Sequence, residues 1–252
     1  MSLISHPCKT RRLDFAELTR VPVPPSTATF VPIAHADLVA GARDSLSRAH
    51  LVVEDEEFAV NPTGEVFFGT LTCRSTIGIG DDLTSRSRLT IGLRNSHNHE
   101  FAAGLAVGFR VMVCDNRCFW GDRTLSRKHT LFIRRDLPRL LNAAVDEFVL
   151  PALKSLPLTM GTLAETPLSD GEYASIVLRL MRAGLLSAAE LQKVDLEYNR
   201  ADGPGGVFPN EPPSAWRLLN AITEVHKTSR AHPNTLATRS QSILSRLLPS
   251  PN

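Results

Sequence analysis

The chain has 252 residues, 42% of them hydrophobic and 21% charged, with a formal net charge of +2 at pH 7. These values fit a globular protein that buries about three quarters of its unfolded surface. They argue against a membrane-spanning helix, because no apolar run reaches the ~20 residues that one needs, and the opening MSLISHPCKTRRLDF has no core of signal-peptide length, so export is not expected.

Residues 1–34 include VPVPPSTATFVPI and read as an extended arm without regular structure, since its prolines break both helix and strand patterns. A helix is predicted over 35–48, where Leu38, Val39, Ala42 and Leu46 form one apolar stripe. Residues 51–60 and 65–73 read as a hairpin about the turn Asn61–Gly64. A loop at 77–87 leads to a strand over 88–96, in which Leu89, Ile91 and Leu93 alternate with Arg88, Thr90 and Arg94. The nearly all-apolar segment 101–114 reads as a central strand buried on both faces, DNRCFWGD as a turn, and 124–132 as a fifth strand or an extended approach to a helix.

A helix is expected from Arg134 to about Leu156, with Pro138 tolerated in its first turn and Pro151 kinking or ending it. Residues 155–168 have a linker's composition. Capping boxes at Ser169/Glu172 and Ser187/Glu190 open helices over 170–183 and 188–199, with Gly184 suited to a left-handed C-terminal cap. A further helix is predicted over 214–230, with a short helix in the tail. The expected fold is α+β. An arm (1–34) precedes a sheet domain (35–156), a central antiparallel meander-like sheet with a long helix packed on it, and a helical C-terminal region (169–248) packs on that domain.

Charge is unevenly spread. Positions 1–69 hold 6 Lys+Arg against 9 Asp+Glu, positions 70–139 hold 12 against 6, and positions 140–252 hold 10 against 11. A basic middle third attracts polyanions. Arg86, Arg88 and Arg94 share strand parity, Arg123, Arg127, Lys128, Arg134 and Arg135 follow the apolar strand, and Trp120 stands near, a composition suited to a single-strand groove with guanidinium for phosphate and a ring for base stacking. The competing view is that these arginines are solvated on the polar face of a sheet.

Two chemical alternatives compete with it. His97, His99, Cys114 and Cys118 are zinc-ligand types, although their spacing is unorthodox. His97, Cys114 and Asp115 are also the types used in nucleophilic catalysis, yet no G-x-S-x-G elbow accompanies them or Ser96. Asn95, Ser96, Asn116 and Gly121 read as turn-forming residues that shape the same region. The four cysteines (Cys8, Cys73, Cys114, Cys118) are too few for a disulfide scaffold and fit reduced cytoplasmic thiols. Neither a Walker loop nor a G-x-G-x-x-G is present, so no nucleotide cofactor, and no cofactor of any kind, is expected.

GLRNSHNHEFAAGLAVGFRVMVCDN, with Gly121 beyond it, and SAWRLLNAITEV together resemble phage/plasmid-like proteins of the domain-of-unknown-function family numbered 932. Asn95, Ser96, His97, Cys114, Asp115 and Asn116 match that family's pattern. His99 stands where it has Lys or Asp, Cys118 lies outside it, and Val225 replaces a Tyr. The resemblance implies a mobile-element protein in a bacterial cytoplasm and carries no activity. By analogy of fold, a sheet with a long helix and a basic face is the outline of phage single-strand annealing proteins.

The leading expectation is therefore a nucleic-acid-binding accessory protein of a phage or plasmid that favours single-stranded DNA, does not act at a membrane, and is compatible with homo-oligomers. The alternatives are an enzyme centred on His97, Cys114 and Asp115, or a protein–protein module acting against host defence.

Overall fold

A computed structural model describes residues 11–75, 87–111, 120–206, 210–227, 239 and 242–247. Its centre is an antiparallel meander in which strands β1 (Arg11–Leu13), β2 (Leu51–Val60), β3 (Val66–Ser75), β4 (Ser87–Ser96), β5 (Ala103–Val111) and β6 (Trp120–Arg127) pair in sequence order. Helix α1 (Phe15–Leu18) follows β1, and α2 (His35–Arg48) precedes β2. The expected α+β class is what the structure contains.

Strand alternation explains the first core. Leu71 of β3, Ile91 of β4 and Val107 of β5 stand opposite one another in register, and all three are buried. Val39, Ala42 and Leu46 of α2, and Ile133, Leu137 and Leu141 of α3 (Ile133–Ala144), join them in one cluster. Gly69 of β3 is required by this packing. A Cβ there would lie 2.7 Å from Phe67 Cζ and 2.9 Å from Phe58 Cδ1.

Three local expectations need correction. The arm is not wholly irregular: β1 pairs Leu13 with Phe58, and Asp14 and Glu17 form a capping box that starts α1. Trp120 and Gly121 are not turn residues, since they begin β6 opposite Phe109 and Gly108. The stretch 155–168 is not a linker. Helix α4 (Leu150–Glu165) runs through most of it, joined to α3 by a π-helical turn over Val145–Val149. Pro151 falls within the first two residues after that turn, where the shift in hydrogen-bond pattern accommodates a residue lacking an N–H. The threonines that resemble a linker are satisfied inside the helix: Thr159 Oγ1 donates to Ser155 O (3.1 Å) and Thr162 Oγ1 to Leu158 O (2.9 Å).

Helix α4 links the two cores. Ala152 and Leu153 belong to the sheet core, whereas Met160 and Leu163 belong to a second core built with α5 (Asp170–Arg182), α6 (Ala188–Tyr198) and α7 (Ala215–Lys227). Both predicted capping boxes, at Ser169 and Ser187, are formed, and Gly184 has φ +69°. Among the described residues no helix is long and apolar enough to cross a membrane.

Candidate nucleic-acid interface

The cations singled out in the sequence divide between two strand parities. On β4, Arg94 alternates with core residues Leu93 and Ile91 and stands opposite Gly104 of β5; Arg88, of the same parity, stands opposite Arg110. Arg94 is only 8% exposed. Its guanidinium lies 5.3 Å from the Phe101 ring centroid, its stem crosses Gly104 closely (Nε would be 3.2 Å from a Cβ there), and burial lowers its pKa. It is buried against Phe101 and Gly104 and is not the solvated phosphate ligand that parity alone suggested.

On β6 the register is different. Arg123 stands opposite Val107 and Arg127 opposite Ala103, both core residues, and Arg127 Nη2 bonds Asp136 Oδ2 of α3 at 2.9 Å. Trp120 stands opposite Phe109. Arg86, Cys114, Asp115, Asn116 and Cys118 lie outside the described residues.

A more coherent basic surface appears where β6 runs into α3. Residues 123–145 contain Arg123, Arg127, Lys128, Arg134, Arg135 and Arg139 against one acid, Asp136. The stripe Ile133, Leu137, Leu141 faces the core at four-residue steps, which leaves Arg134, Arg135 and Arg139 exposed along with Lys128. Two apolar side chains share this exposure, Leu131 at 66% and Phe132 at 51%. The Arg135 guanidinium lies 4.5 Å from the centre of the Phe132 ring, and its Nε donates to Asp136 Oδ1 at 3.1 Å. Partial burial acts to raise the Asp136 pKa, but hydrogen bonds from Arg135 and Arg127 outweigh it and hold the carboxyl below its ordinary range. Phe132 caps α3 without a side-chain hydrogen bond, so the positive end of the helix dipole adds to the field here.

Phe132 and Arg139 were not among the residues the sequence singled out. Their signal was present in LFIRRDLPRL, since Leu131 and Phe132 are apolar residues off the stripe that begins at Ile133.

The NSH segment is spent on structure. Asn95 Nδ2 lies 2.9 Å from both Ile33 O and His35 Nδ1, His35 Nε2 is 2.9 Å from Gly64 O, and His97 Nε2 is 2.8 Å from Ile33 O. These partners fix His35 as the neutral Nε2–H tautomer, and its ring stacks on that of His97 with centroids 4.0 Å apart. Burial, and then the neighbouring His97, push the His35 pKa down to about 3. Burial also lowers His97 against the opposing influence of the Ile33 and Pro22 backbone and of Glu65. Ser96 Oγ donates to Phe101 O (2.8 Å) and accepts from Phe101 N (3.0 Å), closing the bend at 97–100. Asn95 and Ser96 therefore end β4 rather than forming the turn itself.

His97 is thus a peg for the arm, with Nε2 engaged by the Ile33 carbonyl. His99 turns away: it is exposed at φ +65° and packs its ring 3.7 Å from that of Phe30. Among the described residues no group of three His, Cys, Asp or Glu could hold a metal ion. No protein-family model, curated protein or solved structure matches the chain.

Proposed function

We propose that this chain is a nucleic-acid-binding protein favouring single strands, working as an accessory of a phage or plasmid as its resemblance implies. The observation that carries this reading is the exposed cation group at the start of α3, Lys128, Arg134, Arg135 and Arg139, with Asp136 as the one acid in its stretch of sequence. Three of the four are arginines, whose planar forks suit phosphate oxygens. Arg127 and Lys128, selected from the sequence, belong to this surface or its border. Arg88 and Arg94 belong to the other strand parity and are not needed for it.

Fluorescence anisotropy with a labelled single strand tests the proposal. Four phosphate contacts predict a log–log salt slope of about −3, and the triple variant R134A/R135A/R139A should flatten it by about 2. Absence of binding at ~50 mM salt would refute the proposal. The enzymatic alternative gains nothing from His97, which is buried, neutral and engaged with the arm.

A further inference from the structure

Resting on that reading, we infer that Phe132, braced by Arg135, is a base-stacking platform, and that it gives the surface its preference for unpaired strands. The arginine cluster alone would attract any phosphate backbone, paired or not. Discrimination needs a group that engages a base face, which a duplex hides within its own stack.

Phe132 is placed for this. It projects from the turn ahead of α3 with half of its surface exposed. Arg135 lies 4.5 Å from the ring centre. Asp136 holds Arg135 through Oδ1 and Arg127 through Oδ2, so the guanidinium is oriented before any ligand arrives. Arg134 is steadied as well, its Nη2 donating to Pro32 O of the arm at 3.2 Å. A base can add to the open part of the Phe132 ring while its flanking phosphates meet Arg134, Arg139 and Lys128. The same tip, with exposed Leu131 beside it, has the character of a peripheral membrane anchor. The fixed guanidinium on the ring favours the base, because it places a charge where a bilayer would need apolar surface.

The test compares wild type, F132A and F132W on a labelled single strand and on an abasic strand of equal length. F132A should bind the normal strand roughly tenfold more weakly. It should match wild type on the abasic strand and keep the wild-type salt slope. F132W should restore binding, with strand-dependent quenching of the new indole. Equal affinity of F132A and wild type for the normal strand overturns the inference while leaving the electrostatic proposal standing. Loss of all strand binding by wild type removes both. Capture of wild type but not F132A by phosphatidylserine-containing vesicles, with no stacking effect on strands, assigns the tip to a membrane and overturns the inference as well.

Discussion

His35 and His97 show how residue types suited to catalysis can be spent on holding a chain segment. Ile33 O receives both Asn95 Nδ2 and His97 Nε2, while His129 meets the arm through its backbone, whose carbonyl accepts from Val31 N at 2.9 Å. Burial lowers the His129 pKa to about 4, and the nearby His97 and His99 act in the same direction. An unfolded histidine takes up its proton near 6.5, whereas folded His35 and His129 do so only near 3 and 4. Between those values the unfolded chain binds more protons, so stability is full above about pH 6.5 and falls as pH is lowered. The loss from pH 7 to pH 5 should be about 2 kcal/mol for each of the two histidines. His129→Phe, which keeps a ring beside Phe30, should remove about 2 kcal/mol of that acid loss in urea melts at the two pH values. An unchanged pH dependence would contradict the assignment. The sequence could mark Asn95 and His97 as chemically notable, but not what they bind. Their common partner lies 62 and 64 positions away, in an arm whose prolines give no local pattern.

At the scale of elements, legibility followed periodicity and ended where a pattern had no unique physical meaning. Strand β4 and helices α2, α5, α6 and α7 were readable because a two- or 3.6-residue period or a capping box marks them, β2 and β3 because a turn divides them, and β5 because its apolar run is continuous. Parity correctly grouped Arg88 with Arg94. It could not show that Arg94 would be buried against Phe101 and Gly104, because coverage of a sheet face depends on elements remote in sequence. Helix α4 was illegible for a different reason. Threonine and proline favour linkers on average, yet here the hydroxyls bond carbonyls four residues back and a π-turn absorbs Pro151. The sheet itself offers a sharp test at Gly69. Its neighbours Phe67 and Phe58 are buried rings, 0% and 3% exposed, so neither can yield to a new methyl. Gly69→Ala should cost about 1–3 kcal/mol, seen as a lower urea midpoint with an unchanged slope.

For the whole molecule, the decisive feature is that one helix belongs to both cores. Ala152 and Leu153 are sealed beneath the sheet, and two to three turns later Met160 and Leu163 are sealed among α5, α6 and α7. A rigid rod buried at both ends makes separate unfolding of either core costly, because the melting core would expose its share of the helix. Gly161 tests this coupling. It lies inside α4, and a Cβ there meets nothing within 4 Å, so Gly161→Ala should stabilise the helix by about 0.5–1 kcal/mol without strain. In a W120F background, Trp216 fluorescence reports on the helical core, where its side chain is 2% exposed. Amide exchange in β3 and β4 reports on the sheet. Both should shift by the same increment in denaturant. A gain confined to Trp216 would mean that the cores unfold independently and that α4 is a tether rather than a strut.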